Sequence, residues 1–314
     1  MNLPLVVIVG PTAAGKSDIA VELAQKLQGE IISADSVQLY KYFNIGSAKL
    51  TLEEQRGVPH HLIDILDPDQ DFSVAQYQSL ARHKIREIQE RGKLPFLVGG
   101  TGLYIQAVVY PFEFPDTEGY QVIRNDLRRM WGDGKQEEIY QKLKDIDPAS
   151  AERIDPHDFR RISRALEVYY LTGRPISSYQ RDNKNPLYPM EMVGISYQRA
   201  ELYRRIEKRV DKMFAEGLID EVRSILNKGY SKELKPFQTL GYKQVIQYLE
   251  GNYDLAEAIA ETKKATRRYA KRQLTWFRRE QRIKWYLMNN DNNCQSVLDR
   301  INGHLCRSMN ICVE

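Results

Sequence analysis

The sequence LVVIVGPTAAGKS, residues 5–17, decides the fold of this chain. Its first five residues form a continuous apolar run bounded by Gly10, which is typical of a parallel strand covered on both faces. Apolar residues then recur at helical spacing from Ser17 to Leu27, so a helix follows the strand, and Gly29 is placed to end it in a left-handed conformation. The residues between strand and helix match the pattern Gly-x4-Gly-Lys-Ser/Thr of a phosphate-binding loop.

The residues of this loop have separate roles in holding phosphate. Its glycines let backbone amides converge on phosphate oxygens, and the N-terminus of the helix adds positive potential. Lys16 supplies a point charge, and Ser17 can hold Mg²⁺. An ordinary glycine-rich turn is the alternative, but the strand before the loop and the helix after it favour a phosphate site. We therefore predict that a diphosphate or a longer phosphate chain is bound by Gly10, Pro11, Thr12, Ala13, Ala14, Gly15, Lys16 and Ser17.

Strand and helix patterns alternate after the loop. A second short strand, from residue 31, runs out at Asp35. Ser73 and Gln76 form a capping box at the start of an amphipathic helix, and a third buried strand over residues 94–98 runs into a glycine-rich turn. This alternation predicts an α/β fold with a doubly wound parallel sheet. Such sheets keep their ligands at the carboxyl ends of the strands, so Asp35 is a candidate site residue.

The pattern changes at about Pro111. Strand signals stop there, and amphipathic helical segments continue to about Pro189. We therefore predict an inserted helical subdomain over residues 113–189. Residues 1–112 and 190–314 would then form the core that carries the phosphate-binding loop.

The C-terminal part of the core is predicted to be mainly helical. Residues 192–195 are expected to return to the sheet as a strand, and helices follow, the last of them from about Asp254. From Lys263 to Lys284 this region carries ten basic residues against the single acid Glu280. Phosphate is the natural counterpart of such a surface, so we predict a track for the backbone of an RNA.

Composition excludes several classes of protein. With 42% hydrophobic and 28% charged residues over 314 positions, the chain is neither disordered nor fibrous. It has no apolar run long enough to cross a bilayer and no signal-peptide pattern, so we expect a cytoplasmic monomer that does not contact a membrane. The sequence has three cysteines, and all of them lie near its C-terminal end: Cys294, Cys306 and Cys312. This number and this clustering do not suit a disulfide framework. We interpret them as free thiols and not as a zinc site with His304.

A phosphate-binding loop alone does not identify the reaction. The ordinary expectation is a nucleoside-triphosphate hydrolase or a small kinase. The strand over residues 94–98, however, ends in glycines and lacks the aspartate that would support magnesium. His60, His61 and Asp64 could be drawn as a metal site, but adjacent histidines point in different directions, so this alternative is disfavoured.

Further motifs follow the loop GPTAAGKS in a fixed order. They are DSVQLY at residues 35–40, NIGSAK at 44–49, VPHHL at 58–62, VGGTGLY at 98–104, residues 160–167, GYKQ at 241–244 and RQLTWF at 272–277. Together they resemble the tRNA dimethylallyltransferase family over nearly the whole chain. The zinc finger that some eukaryotic members append is missing, so the chain looks like a bacterial-type member. The resemblance implies Mg²⁺-dependent transfer of a dimethylallyl group from dimethylallyl diphosphate to the exocyclic amine of the adenosine immediately 3′ of the anticodon.

In such a reaction the loop becomes a clamp for the leaving group, because negative charge develops on diphosphate as the allylic carbon departs. An adenine amine is a weak nucleophile, so a base that accepts its proton helps, and Asp35 is our candidate. A helix cap or an outer contact to magnesium is the alternative for Asp35. The resemblance adds Thr101 as a contact to tRNA and Arg223 as a ligand of diphosphate, although a solvated helix face is the alternative for Arg223. With Lys16 and Ser17, these residues form the predicted catalytic set.

The acceptor base must leave its stack to reach this site, and an anticodon loop suits that demand. Gln38 offers a donor and an acceptor together, which match an adenine edge. Phe159 could stack on a base, while Arg160 and Arg161 could meet phosphates. The resemblance implies tRNA contacts at Asp35, Ser36, Val37, Gln38, Thr101, Arg124, Phe159, Arg160, Arg161, Ile162, Ser163, Gly241, Tyr242, Lys243 and Gln244.

Two other functions stay open at this point. One is prenylation of a free adenine nucleotide, as in the related cytokinin-forming enzymes, but the basic region and the inserted subdomain favour a polymer acceptor. The other is a nucleotide-dependent RNA-binding protein without transferase activity. On the last predicted helix, the stripe Tyr269, Gln273 and Trp276 is interpreted as packing.

Overall fold

The structure is a computed structural model, and it describes residues 3–115, 119–179, 185–288 and 294–310. The chain divides into two compact units. The core unit consists of Met1–Val109 and Pro186–Glu314, and the inserted unit consists of Tyr110–Asn185. Among the described residues, no helix combines the length and the apolar character needed to cross a membrane.

The core unit is built on a parallel sheet. Within the described residues the sheet has six strands, β1 (Leu5–Val9), β2 (Gly29–Ala34), β3 (His60–His61), β4 (Leu94–Gly99), β5 (Met190–Tyr197) and β6 (Ile283–Met288). Their order is β3-β2-β4-β1-β5-β6, and every neighbouring pair is parallel. β1, β2 and β4 are buried along their whole length, which explains their unbroken apolar sequences. The predicted α/β fold with a doubly wound parallel sheet is confirmed.

Helices surround the sheet and build the inserted unit. In chain order they are α1 (Lys16–Lys26), α2 (Val74–Glu90), α3 (Gly102–Val109), α4 (Tyr120–Gly132), α5 (Gln136–Ile146), α6 (Pro148–Ala151), α7 (Phe159–Thr172), α8 (Arg199–Ala215), α9 (Leu218–Asn227), α10 (Tyr242–Leu249), α11 (Leu255–Phe277) and α12 (Cys294–Met309). Helices α4 to α7 belong to the inserted unit. Short 3₁₀ helices cover Ile176–Tyr179 and Lys235–Gln238.

Capping boxes in the sequence account for the residues at which two helices begin. Ser73 and Gln76 form the predicted capping box of α2: the Ser73 side chain accepts from the Gln76 amide, and the Gln76 side chain accepts from the Ser73 amide. Asp254 and Glu257 form an equivalent box at the start of α11. Both starts could be located from sequence because the capping contacts lie within one helical turn.

The prediction that Gly29 ends α1 in a left-handed conformation was wrong. Gln28 takes the left-handed conformation, with φ of +50°, while Gly29 is already the first residue of β2. A Cβ at Gly29 would lie 2.3 Å from Cε2 of Phe96 and 2.6 Å from the carbonyl oxygen of Leu94. Glycine is therefore needed at position 29 for the close approach of β4, a contact that the local sequence does not reveal.

The C-terminal part also differs from its prediction. Helix α11 begins as expected after Asp254, but it is not the last element. The chain continues into β6, which pairs with β5 from Met192 opposite Ile283 to Tyr197 opposite Met288, and then into α12. Edge strand β6 was missed because it exposes Lys284 and Leu287, so its sequence lacks an unbroken apolar run. Of the predicted free thiols, Cys306 is free and half-buried, whereas Cys312 and the side chain of Cys294 lie outside the described residues.

The inserted unit has its own hydrophobic core. Helices α4, α5 and α7 bury one face each, and α6 adds Ala151. The buried side chains are Leu127, Ile139, Tyr140, Leu143, Ala151, Ile162, Ala165 and Leu166. The unit is therefore packed like a small helical domain, which is the architecture that the amphipathic segments predict.

Candidate active site

The carboxyl ends of three neighbouring strands meet at one edge of the sheet. Gly99 at the end of β4 pairs with Ala34 of β2 on one side and with Val9 of β1 on the other. The chain continues directly from these residues into Asp35, Gly100 and the phosphate-binding loop. A Cβ at Gly99 would lie only 2.1 Å from the carbonyl oxygen of Ala34, so a glycine is required where these strand ends converge. The structure thus brings Asp35 and the loop to the same edge, as predicted.

Lys16 is the first residue of α1, and its ammonium donates to the carbonyl oxygen of Pro11 over 2.8 Å. Burial, together with the positive charge of Arg209, lowers the pKa of Lys16 to about 8, although the negative charge of Asp35 opposes this shift. The N-cap of α1 is Gly15, with φ of +74°, which favours glycine. The loop therefore presents a desolvated cation at a helix N-terminus, a setting suited to an anion.

Arg209 on α8 was missed by sequence reasoning. Burial lowers the pKa of its guanidinium, and the negative charges of Asp35 and Asp18 oppose that shift. The predicted diphosphate ligand Arg223 is exposed on α9, with its Nη1 3.2 Å from a carboxylate oxygen of Asp220. Arg209 interacts electrostatically with both Lys16 and Asp35. A role of Arg223 in binding diphosphate stays a prediction.

Arg205, one helical turn before Arg209, supports the loop from outside. Its Nε donates to the carbonyl oxygen of Ala13 over 3.1 Å, and its guanidinium lies 4.5 Å from the ring centroid of Tyr197. The available signal was the spacing of two arginines at i and i+4 beside the buried residues Ile206 and Val210 on an amphipathic helix. That spacing shows only a shared face, because the loop it contacts lies 192 residues away.

Asp35 holds the turn that follows β2. Its Oδ1 accepts hydrogen bonds from the backbone amides of Val37 (2.8 Å) and Gln38 (3.3 Å). Within the described residues, no hydrogen bond reaches Oδ2. Asp35 therefore caps a turn, and not a helix as one alternative had it, and still has a carboxylate oxygen to accept a proton.

Three tyrosines from separate elements surround this carboxylate. Burial raises the pKa of Tyr269 to about 12 and raises the pKa of Tyr77 and Tyr104 above the usual value for tyrosine, and the negative charge of Asp35 contributes in each case. The rings of Tyr77 and Tyr104 stack with centroids 3.9 Å apart. The phenols stay neutral at physiological pH, so these three neighbours of Asp35 are aromatic and uncharged.

Thr101 lies at the glycine-rich turn after β4. Its backbone amide donates to the carbonyl oxygen of Ala34 over 3.2 Å, which fixes it beside Asp35 in the sheet. Its Oγ1 is buried and has no hydrogen-bond partner in the part of the chain that the structure describes. The phenol of Tyr269 interacts with the Thr101 side chain, so this hydroxyl lies beside one of the tyrosines that interact with Asp35.

Gln273 of α11 joins the phosphate-binding loop to this turn. Its Oε1 accepts from the amide of Thr12 over 2.8 Å, and its Nε2 donates to the carbonyl oxygen of Gly100 over 3.0 Å. Trp276, on the same face, covers Gly102, where a Cβ would lie 2.2 Å from the indole. The sequence predicted that the stripe of Tyr269, Gln273 and Trp276 packs against the core. Gln273 is buried as expected, and its side-chain amide also links two parts of the site.

Some of the residues predicted to contact tRNA in the core unit have exposed side chains, and others are buried. Ser36 and Lys243 are exposed. Tyr242 is fully buried, and the Gln244 side chain accepts from the amide of Gly241 at the start of α10. Of the four residues 241–244, Lys243 is therefore the one with an exposed side chain.

The residues predicted to contact tRNA in the inserted unit also include both buried and exposed side chains. Arg124 makes a two-pronged ion pair with Glu167, at 2.6 and 2.8 Å, and the Glu167 side chain is fully buried. Ile162 and Ser163 are buried as well, so their side chains pack inside the unit and do not form a binding surface. Phe159 is half-buried, with its ring centroid 5.0 Å from that of Trp131. The exposed members of this segment are Arg160 and Arg161.

The histidine pair and the basic region have identified contacts. His61 pairs with Glu30 over 2.7 Å, and His60 Nδ1 lies 2.8 Å from the carbonyl oxygen of Val58. Part of the basic region is occupied within the protein, since Arg267 pairs with Glu207 and Lys263 with Asp211, each over 2.6 Å. The exposed members on or just after α11 are Lys264, Arg268, Lys271, Arg272, Arg278 and Arg279.

A phosphate-binding loop at the carboxyl edge of a parallel sheet, beside a carboxylate, defines a P-loop α/β protein with an anion site next to a candidate base. Comparison with known proteins adds the family. The sequence model described as "IPP transferase" matches residues 38–280, and the model described as "Isopentenyl transferase" matches residues 3–66. The chain belongs to the IPP transferase family.

Relatives and solved structures agree with this assignment. A tRNA dimethylallyltransferase of Carboxydothermus hydrogenoformans is 52% identical over 91% of this chain and 92% of its own length, and one of Thermoanaerobacter sp. is 47% identical over 99% and 100%. The crystal structure of a full-length tRNA isopentenylpyrophosphate transferase from Bacillus halodurans matches with a TM-score of 0.72 and 44% identity, covering 98% of each chain. A eukaryotic dimethylallyltransferase described as acting on tRNA matches with a TM-score of 0.84 and 28% identity, covering 99% of this chain and 81% of its own.

Proposed function

We propose that this protein transfers a dimethylallyl group from dimethylallyl diphosphate to the exocyclic amine of the adenosine immediately 3′ of the anticodon in tRNA. The observation that carries the proposal is the position of Asp35, whose carboxylate interacts with both cations of the phosphate site, Lys16 and Arg209. A site for a departing diphosphate thus adjoins a proton acceptor. Membership of the IPP transferase family supports the same conclusion.

The phosphate site acts on the leaving group. As the bond between the allylic carbon and oxygen breaks, its electron pair goes to diphosphate, so negative charge grows on the phosphate oxygens. Lys16, Arg209 and the amides at the start of α1 oppose that charge from fixed positions, and stabilise the transition state more than the ground state. The amide of Thr12 donates to Gln273, so Gln273 holds the loop backbone in position while other amides of the loop face the phosphate.

Asp35 acts on the nucleophile. The adenine nitrogen forms the new bond to carbon and loses a proton, which passes to Oδ2 of Asp35. Because Oδ1 is held by the amides of Val37 and Gln38, the carboxylate keeps one orientation while Oδ2 accepts the proton. Thr101 Oγ1 is buried next to Ala34 and supplies a hydrogen-bonding group for the bound nucleoside.

The donor set fits Mg²⁺ bound mainly by diphosphate. Mg²⁺ prefers oxygen ligands and commonly takes one or two protein groups, with phosphate oxygens and water completing its shell. Ser17, half-buried in the first turn of α1, offers such an oxygen, and Mg²⁺ there would neutralise part of the leaving-group charge. We expect chelation of Mg²⁺ by EDTA to abolish transfer and its replacement to restore it.

Binding of tRNA would use the exposed basic residues. Arg268, Lys271 and Lys243 of the core unit, and Arg160 and Arg161 of the inserted unit, are exposed cations suited to phosphate contacts. The proposal includes action as a cytoplasmic monomer, which sedimentation of the free protein and of its complex with tRNA would check.

A second candidate is transfer to a free adenine nucleotide. It is favoured by the match of residues 3–66 to the model described as "Isopentenyl transferase". The two candidates share the phosphate site and Asp35 and differ in the acceptor.

One assay separates the candidates. Radiolabelled dimethylallyl diphosphate and Mg²⁺ are incubated with the protein and unmodified tRNA, with tRNA carrying guanosine in place of the target adenosine, or with AMP. We expect label in the first RNA only. Label in AMP alone would support the second candidate, and RNA-stimulated phosphate release from ATP without prenyl transfer would reject both.

A further inference from the structure

The carboxylate of Glu221 binds a loop of the NIGSAK segment. Glu221 lies in the first turn of α9, and its oxygens accept from the backbone amides of Asn44 (3.0 Å), Ile45 (2.8 Å) and Gly46 (3.4 Å). The hydroxyl of Tyr242 donates a fourth hydrogen bond over 2.7 Å. Hydrogen bonds to an ionised acceptor are the stronger kind, so residues 44–46 are firmly tied to α9 and α10.

Packing restricts the same loop from its other side. The ring of Tyr242 covers Gly46, where a Cβ would lie 2.5 Å from Cε2. Phe43 is fully buried, with its ring centroid 4.7 Å from that of Tyr242 and 5.1 Å from that of Phe237. Burial raises the pKa of Tyr242 well above its usual value, and the charge of Glu221 adds to this, so the phenol stays a donor. The loop has one well-packed position.

The next residue of this loop orients Gln38. The Nε2 of Gln38 donates to the carbonyl oxygen of Ser47 over 3.3 Å, and the Ser33 hydroxyl donates to its Oε1 over 2.8 Å. A carbonyl oxygen only accepts, so Nε2 must face Ser47 and Oε1 must face Ser33. One N–H and one lone pair of the Gln38 amide remain for a ligand, in a fixed arrangement.

We infer, given the function proposed above, that Glu221 is a positioning residue for base recognition, which holds residues 44–47 where Ser47 orients the Gln38 amide toward adenine. Adenine presents an amine donor beside a ring-nitrogen acceptor, and hypoxanthine presents a carbonyl acceptor beside an N–H donor. A fixed amide pairs with only one of these patterns, whereas an amide free to rotate pairs with either. Glu221 therefore contributes to selectivity for adenine without contacting the base.

The test uses two anticodon stem-loop RNAs, one with adenosine and one with inosine at the acceptor position. Their dissociation constants are measured with the full chain. Glu221→Gln places an NH₂ group against backbone N–H donors, so the preference for adenosine over inosine should fall about tenfold. The KM for dimethylallyl diphosphate should stay within about twofold, since in the described part of the chain no hydrogen bond joins residues 44–47 to the phosphate-binding loop. Glu216→Gln, at an exposed carboxylate paired with Lys212, is the matched control and should keep the full preference.

Two further variants keep the test decisive. Tyr242→Phe removes one hydrogen bond to Glu221 but keeps the ring, so a smaller loss of preference is expected even if Glu221→Gln does not fold. In a Gln38→Ala background, Glu221→Gln should cause no further loss, because its effect passes through the Gln38 amide.

An unchanged preference in folded Glu221→Gln and Tyr242→Phe, or an additional loss in the Gln38→Ala background, would overturn the inference. Failure of the wild-type protein to prenylate tRNA would instead contradict the proposed function. If the wild type prenylates tRNA and the variants discriminate as it does, only the inference fails.

Discussion

Asp35 combines a structural and a chemical task in one side chain. Oδ1 caps the turn after β2, and Oδ2 is available to the acceptor amine. Asp35→Ala would remove both tasks at once, whereas Asp35→Asn keeps an oxygen that accepts from the amides of Val37 and Gln38. The amide substitution therefore isolates the chemistry.

For Asp35→Asn we expect the single-turnover rate of prenyl transfer to fall at least about 100-fold, the usual size of a general-base contribution. Affinity for tRNA should change less than about tenfold, because the turn keeps its cap. Rapid quench and filter binding measure the two quantities. Asp67→Asn, at a carboxylate paired with Lys41, is the control. A normal rate combined with a large loss of tRNA binding would refute the base assignment.

Lys16 links pH to both binding and stability. Its pKa is about 8 in the folded protein, against 10.5 for an ordinary lysine. As pH rises through about 8, Lys16 loses its charge, so affinity for dimethylallyl diphosphate should fall. Between about pH 8 and 10.5 the unfolded chain binds more protons at this position, so the Lys16 contribution to the free energy of unfolding should rise with pH.

Equilibrium binding of dimethylallyl diphosphate without acceptor, and urea unfolding, measured from pH 6.5 to 10, would check both trends. Lys16→Met should bind weakly at every pH and lose the Lys16 component of each profile. Wild-type affinity that stays constant to pH 10 would contradict the shifted pKa.

At the scale of elements, α11 connects distant parts of the sheet edge. The side-chain amide of Gln273 forms hydrogen bonds with the loop after β1 and with the turn after β4. One side chain therefore holds two backbone segments at a fixed distance from each other. The helix itself is predictable from its capping box and apolar stripe. The identity of its partners is not, because Thr12 lies 261 residues from Gln273 in sequence.

Gln273→Leu should leave the amide of Thr12 and the carbonyl of Gly100 without partners. We expect the free energy of unfolding to drop by about 2 kcal/mol and the KM for dimethylallyl diphosphate to rise. Thr275→Val, on the exposed side of α11, should change stability by less than about 0.5 kcal/mol. If the two variants unfold alike in urea, the bridging role is excluded.

Across the molecule, some basic residues of the α11 region form ion pairs with acidic residues of the protein, and others are exposed on the surface. Arg267 is paired with Glu207, while Arg268 and Lys271 on α11 are exposed. Arg268 and Lys271 are therefore better probes of RNA binding than Arg267, whose reversal would also break an internal ion pair.

Reversing Arg268 and Lys271 together to Glu should weaken tRNA binding. The slope of log K against log salt concentration should become shallower by about 1.4 to 1.8, since each of the two lost phosphate contacts contributes about 0.7 to 0.9. Affinity for dimethylallyl diphosphate should be unchanged. The same reversal at Arg86 and Lys93, which lie on and just after α2, is the control for net charge. Equal weakening by both pairs would show that only overall charge matters.

Much of the architecture follows from sequence because its causes are local. The strand, loop and helix of residues 5–26 and the capping boxes at Ser73 and Asp254 depend on residues within a few positions of each other. Asp35 was located at the sheet edge for the same reason, since it directly follows an apolar strand. Where the cause was a distant neighbour, as for Gly29 against Phe96, the position of the helix end was approximately right and its explanation was wrong.

A parallel α/β protein with a phosphate-binding loop and a carboxylate at the same edge of the sheet could be predicted from the amino-acid sequence. Three features depend on tertiary contacts: the interaction of Arg209 with Lys16, the hydrogen bonds by which Gln273 joins the loop to the glycine-rich turn, and those by which Glu221 holds residues 44–46. Hydrophobic periodicity and turn chemistry act over a few residues and can be recognised along the chain. A buried charge or amide is positioned by whichever segments the folded sheet brings beside it, and no local pattern records that choice.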